Sequence, residues 1–218
     1  MQINIFNKTN SVLNRYLAEI RDKDYQKNRL LFRNNIMRIG EIEAYEISKT
    51  FRYAKQDVET PLGTATENLP TDNVVIATVL RAGLPFHTGF LNIFDHADNA
   101  FVSAYRTYTN EEHTEVGIHV EYLAAPSVED KTLIIADPML ATGGSMELGY
   151  KAFIQKGTPR HIHIACVIAT PEGIEHIKHT FPDNTTIWCG AVDPKMNSHK
   201  YIVPGFGDAG DLCYGEKI

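Results

Sequence analysis

The sequence predicts an α/β fold, a mostly parallel central sheet with helices on both faces. Three observations carry this. Short, mostly apolar runs at residues 74–80 and 132–136 fit strands buried on both sides. Helical spacing of apolar residues follows such runs, as at 145–155. The alternation of apolar run and helix then continues through residue 189, which favours parallel strands joined by helical crossovers. With 218 residues, 43% hydrophobic and 22% charged, the composition is that of an ordinary globular protein, and residues 1–218 are expected to form a single domain.

Residues 1–60 read as an N-terminal helical cover. Val12, Leu13, Tyr16, Leu17 and Ile20 recur at helix spacing behind a cap at Asn10 or Ser11. A second helix is expected over 29–53, where Phe32, Ile36, Ile39 and Ile47 share a face. Gly40 weakens its middle, and Glu43, which breaks the apolar stripe, predicts a bend or a split near there. Residues 61–72, rich in Pro, Gly, Thr and Asn, read as a loop. The strand at 74–80 stops at Arg81-Ala82-Gly83, and a helix through Phe86, Phe90 and Phe94 follows. Strands at 101–105 and 116–123 flank the polar stretch 107–115, which predicts a hairpin arm. Strand 132–136, helix 145–155 closed by Gly157, strand 162–168, helix 172–179 and strand 185–189 complete the alternation. Cys166 and Trp188 are expected in the core. His161 and His163 alternate with isoleucines, which reads as the exposed side of an edge strand. The tail from Asp193 onward is glycine-rich and aperiodic, the pattern of a functional loop.

Charge and cysteine usage exclude several classes. Lys and Arg total 21 against 27 Asp and Glu, a net charge of −6, which disfavours nucleic acid as a partner. Three scattered cysteines fit neither a disulfide framework nor a zinc knuckle. The N-terminal residues lack the basic-then-apolar pattern of a signal peptide, and no apolar run approaches the ~20 residues of a membrane span. A cytoplasmic protein with no membrane partner is the expectation. His176 and His179 lack the HExxH spacing of a zinc site.

The sharpest motif is Leu133-Ile134-Ile135-Ala136-Asp137-Pro138-Met139-Leu140-Ala141-Thr142-Gly143-Gly144-Ser145. An apolar strand delivers an acid, a turn, a Thr, two glycines and a Ser to a helix start. Free amides at a helix N-terminus suit a phosphate, and the hydroxyls of Thr142 and Ser145 add donors. Asp137 would repel that phosphate but suits the hydroxyls of an attached sugar, so the loop suggests a ribose 5-phosphate group. Neither the Walker Lys nor the GxGxxG spacing is present.

The stretch Asp137 to Ser145 resembles the phosphoribosyl-pyrophosphate loop of the uracil phosphoribosyltransferase family. Tyr201-Ile202-Val203-Pro204-Gly205-Phe206-Gly207-Asp208-Ala209-Gly210-Asp211 resembles that family's C-terminal uracil-binding segment. Leu80-Arg81-Ala82-Gly83-Leu84, Tyr105-Arg106 and Ala169-Thr170-Pro171-Glu172-Gly173-Ile174 match three further landmarks.

The resemblance implies a type I phosphoribosyltransferase-like fold. It implies transfer of a 5-phosphoribosyl group from 5-phospho-α-D-ribose 1-diphosphate (PRPP) to N1 of uracil, giving UMP and diphosphate, with Mg²⁺ as cofactor. Asp137 would then hold the ribose hydroxyls, with Pro138, Met139 and Leu140 completing the PRPP loop. Ala141, Thr142, Gly143, Gly144 and Ser145 would clasp the 5-phosphate. Arg81 and Arg106 would bind the diphosphate and serve catalysis. Ile202, Gly207 and Ala209, in the C-terminal region 193–218, would read uracil through backbone groups. Asp208 would sit by the substrate and its Mg²⁺ waters, a candidate base only by position. Asp193 and Asn197 would shape the mouth of the uracil loop.

A homodimer or higher homo-oligomer is implied, and regulation by a nucleotide such as GTP stays open. Thr107, Phe206 and Leu212 depart from the family's usual acid, Leu and Arg. Two other classes stay open on the residues alone: a pyrimidine-sensing RNA-binding regulator and a non-catalytic UMP binder.

Overall fold

The structure is a computed structural model and describes residues 1–108 and 116–216, with side chains outside 104–120. Along the chain run β1 (Gln2–Ile5), α1 (Leu13–Arg21), α2 (Arg29–Ser48), β2 (Tyr53–Thr60), β3 (Gly63–Pro70), β4 (Val74–Val79), α3 (Leu84–Leu91), β5 (Asp98–Tyr108) and β6 (Val116–Ala124). Then follow β7 (Thr132–Ala136), β8 (Met139–Leu140), α4 (Gly144–Phe153), β9 (His161–Ala169), α5 (Pro171–Thr180), β10 (Thr185–Val192), β11 (Lys195–Met196), β12 (Ile202–Val203) and α6 (Ala209–Tyr214).

The main sheet has the order β1-β10-β9-β7-β4-β5-β6, and β8 adds to β9. Every pairing in it is parallel except β5 with β6. The period of two along β7 explains how helices cover both faces. Ile134 and Ala136 join Phe32, Ile36, Phe86 and Phe90 of α2 and α3 in one buried cluster. Leu133 and Ile135 point the other way, against Met146 and Phe153 of α4 and Ile177 of α5. The fold class read from the sequence is therefore observed.

This order also fixes where a ligand can bind. From β4 the chain crosses through α3 to β5 on one side, and β7 lies on the other. The connections leaving β4 and β7 diverge at their carboxyl ends, and a crevice opens at such a switch point.

Several expected elements come out differently. The segment β1, read as part of a helical cover, is an edge strand parallel to β10. Helix α2 is continuous over Arg29–Ser48, with no split. Its start is set by Asn28, whose side-chain oxygen accepts from the amides of Leu30 and Leu31. Gly40 does not weaken it, because that position is where α3 packs closest; a Cβ there would lie 2.6 Å from the Phe86 carbonyl oxygen. Glu43 is fully buried on the core face. Residues 61–72 belong mostly to the β2–β3 hairpin, whose strands pair from Tyr53↔Pro70 to Thr60↔Gly63 and stand almost wholly in solvent.

The expected arm is β5–β6, paired antiparallel from Phe101↔Ala124 to Tyr108↔Val116, while its tip at 109–115 lies outside the described residues. Strand β9 is interior, so His161 and His163 do not line an exposed edge. His163 is buried, and its Nδ1 accepts from Trp188 Nε1 at 3.0 Å. Burial holds its imidazole neutral, with a pKa lowered to about 3. Cys166 and Trp188 are buried as expected. The tail is not wholly irregular, since it carries the β11–β12 ladder and α6. Among the described residues no helix is long and apolar enough to cross a membrane.

Candidate active site

The connection β7–β8–α4 carries the phosphate-loop motif. Pro138 and Leu140 anchor it rather than face the cleft. The Pro138 carbonyl accepts from the amides of Val167 and Ile168, both at 3.1 Å, and buried Leu140 pairs with β9. Thr170 locks the next turn, donating its hydroxyl to the Ala141 carbonyl at 2.6 Å and accepting from the Gly173 amide at 2.9 Å. Gly173 lets α5 start this close, because a Cβ there would meet the carbonyl oxygens of Leu140 and Ala141 at 2.6 Å. The segment 169–174 is thus the buttress of the phosphate loop.

Gly143 closes the turn with φ +82, a left-handed conformation that favours glycine. A Cβ on it would strike the His176 ring at 2.6–2.9 Å. His176 is held in turn by Glu147, Nε2 to Oε2 at 2.8 Å. Among the described residues the amides of Thr142, Gly143 and Ser145 donate to no backbone carbonyl, and that of Gly144 reaches Thr142 Oγ1 at 3.4 Å. The turn therefore leaves amides without backbone acceptors at the start of α4, with Gly143 and Gly144 buried and Ser145 exposed.

Asp137 stands half-buried at the end of β7, and its Oδ1 accepts from the Met139 amide at 3.3 Å. Desolvation outweighs that bond and pushes its carboxyl up to about 6. Arg81 faces it from the end of β4. Its Nη2 lies 3.5 Å from Asp211 Oδ1, an ion pair. Yet Nε and Nη2 are shielded from solvent and make no hydrogen bond. Shielded donors without acceptors are costly unless a ligand supplies the oxygens. Arg106 lies on β5 opposite Ile118; its side chain is outside the described residues.

The C-terminal segment reaches the same place. Asp208 caps α6, its Oδ1 accepting from the Asp211 amide at 3.0 Å. Ala209 and Gly210 continue into the helix. A cleft of about 320 Å³ is lined by Arg81, Asp137, Met139, Ala141 and Ser145 on one side and by His199, Lys200, Tyr201, Asp208, Ala209 and Gly210 on the other. Ile202 is buried beside this wall, while Gly207 lines a hollow of about 500 Å³ on the far side of Asp208.

Sequence reasoning singled out Asp193 and Asn197 at this segment but missed Arg21 and Gln26, which hold it. Arg21, the last residue of α1, grips Asp193 with two bonds of 2.8 Å and reaches the Gly205 carbonyl at 3.1 Å. Asp193 also accepts from the Gly205 amide at 2.9 Å. Gln26 donates to the Phe206 carbonyl at 3.2 Å. Asn197 shapes the turn before the segment, accepting from the amides of His199 and Tyr201. No local pattern marks Arg21 or Gln26, since their partners lie more than 150 residues away. The cleft-lining residues His199 and Lys200 directly precede the recognised segment, and their position was the one available signal.

A family model for uracil phosphoribosyltransferase matches residues 8–216. A uracil phosphoribosyltransferase of Porphyromonas gingivalis is 58% identical over 208 residues, 95% of each chain. That of Pyrococcus furiosus is 38% identical over 205 residues, 93% of this chain and 85% of its own. The solved structure of the AQ2163 protein from Aquifex aeolicus superposes with a TM-score of 0.84 at 29% identity, covering 98% of both chains. With the phosphate-type loop and the C-terminal segment meeting across one cleft, these matches show that the chain belongs to the uracil phosphoribosyltransferase family.

Proposed function

We propose that the chain works as one phosphoribosyltransferase unit that moves the 5-phosphoribosyl group of PRPP to N1 of uracil, releasing UMP and diphosphate. Family membership supports the reaction. The observation that carries the residue roles is the shared cleft, in which the turn before α4, the Arg81 donors that make no hydrogen bond and the start of α6 converge. The amides and hydroxyls of 141–145 clasp the 5-phosphate. Asp137, as carboxylate, accepts from the ribose hydroxyls. The transition state gathers positive charge on the ribose as diphosphate departs with negative charge. Arg81, with Arg106 from the arm, stabilises the charge where it develops.

Uracil is read by the backbone around Ile202, Gly207 and Ala209, which fixes the pattern of donors and acceptors. Cytosine would leave buried polar groups unpaired. Asp208 orients this wall through its cap on α6, and its second oxygen is left to face substrate or water.

A Mg²⁺ ion fits these residues in one way. Among the described residues no group of three or more His, Cys, Asp or Glu could hold a metal. The cleft does offer two separated carboxylates, Asp137 and Asp208. Such a donor set suits an ion held mainly by substrate oxygens and water, with Asp208 touching it through water. The ion would neutralise the polyphosphate and orient it. A cytoplasmic homodimer or higher homo-oligomer completes this reading.

The test is turnover with Mg²⁺, PRPP and each of uracil, cytosine and orotate. Uracil alone should give product. Absence of turnover with every base, beside retained UMP binding, overturns the catalytic reading in favour of a non-catalytic binder.

A further inference from the structure

One cation in the cleft stands against the preference of its own backbone. Strands β11 and β12 are joined by a tight turn in which the Lys200 amide donates to the Asn197 carbonyl at 3.0 Å and the Asn197 amide to the Tyr201 carbonyl at 2.9 Å. That is a three-residue hairpin loop, whose last position takes a left-handed conformation and favours glycine. Lys200 occupies it with φ +64. Non-glycine residues are uncommon there, and an outlier of this kind beside a binding site invites a functional reason.

The surroundings supply that reason. Lys200 is exposed and lines the cleft with Arg81, Asp137, Ser145 and Asp208. Arg81 is already paired with Asp211, whereas among the described residues Lys200 has neither an ion pair nor a side-chain hydrogen bond. Of the described charged residues lining the cleft, Arg81 and Lys200 balance Asp137 and Asp208. A substrate carrying phosphate groups at both ends of its sugar would meet the added positive charge of Lys200 on entry.

We infer that Lys200 is a substrate-binding residue whose ammonium contacts phosphate oxygens of PRPP, the turn being held in a strained conformation for that purpose. The inference rests on the PRPP-binding reading of the cleft and adds to it a residue outside the phosphate loop and the uracil segment. A charge-assisted contact of this kind is worth about tenfold in affinity.

Titration calorimetry with Mg²⁺ and PRPP on the full chain tests it, using wild type, Lys200→Gly, Lys200→Gln and Lys200→Arg. The Gly and Gln variants should bind PRPP about tenfold more weakly and lose part of the salt dependence, whereas Arg should restore binding. Lys200→Gly should also melt at a higher temperature than wild type, because glycine relieves the turn. Weaker binding in a more stable protein is what a purely structural lysine could not give. Separate titrations with Mg²⁺-diphosphate and with ribose 5-phosphate show which phosphate end the ammonium meets. Wild-type affinity in Lys200→Gly overturns the inference, as does a wild type that binds no PRPP. If PRPP binding responds to Lys200 while no base is turned over, Lys200 stands and the catalytic reading falls.

Discussion

Asp137 and Glu43 show one physical effect, removal of a carboxyl from water, in two settings. At Asp137 the carboxyl is raised to about 6 from 3.8, so its charged form opposes folding. The associated stability is fully present below pH 3.8 and is lost as pH rises through about 6. Asp137→Asn should therefore be more stable than wild type at pH 8 by roughly 2 kcal/mol, with the gain shrinking toward pH 4, as urea denaturation would read. The same variant should bind PRPP about tenfold or more weakly, since the ribose hydroxyls lose a charged acceptor. Wild-type PRPP affinity should fall as pH drops through about 6.

Glu43 has no such use. It is fully buried, both oxygens lack partners, and burial raises its carboxyl well above the usual value. Its penalty grows as pH rises above the unfolded value of 4.5, so Glu43→Leu should raise the melting temperature more at pH 8 than at pH 5. A gain of roughly 2 kcal/mol corresponds to several degrees in a chain of this size.

At the scale of elements, the site depends on ties between distant segments. The turn at Gly205 and Phe206 is held by α1 and the residues just after it, through Arg21 and Gln26. Arg21→Ala leaves buried Asp193 without its cation and frees the turn. It should destabilise the chain by roughly 3 kcal/mol, the scale of a buried pair broken on one side. It should also raise the KM for uracil more than that for PRPP, because the uracil wall is what moves. Equal changes in both constants would place the role of Arg21 in folding alone. The phosphate turn has its own tie, the Gly143–His176–Glu147 stack, which involves only α4 and α5. The two halves of the cleft are therefore braced independently.

Over the whole molecule, the main sheet with its two apolar layers holds the fold, and the β2–β3 hairpin stands outside it. Its residues are exposed apart from half-buried Ala65, and Leu62 at the tip is 99% exposed. An element that buries so little contributes little to the stability of one chain. Joining residues 53 and 70 by a Gly-Gly link should leave the melting temperature of a dilute sample within a few degrees. A large drop would show that the hairpin is stabilised by contacts with a second copy.

The sequence alone determined the inner strands of the sheet, the phosphate turn and the C-terminal segment. Each is written in neighbouring residues: an apolar run with period two, a glycine pair at a helix start, a Pro-Gly-rich loop. It misjudged features that depend on what lies opposite. The histidines of β9 read as exposed because alternation marks two faces without saying that both are covered. Glu43 read as a break in α2 because a charge on an apolar face argues against burial, yet the packed helix buries it and raises its carboxyl. The β2–β3 hairpin lacked the apolar alternation that a half-buried strand shows, having no buried face to encode. Arg21, Lys200 and the shared cleft were decided only by tertiary structure. Their partners are brought together by the strand order, and no local pattern of residues records which distant loops a sheet will set side by side.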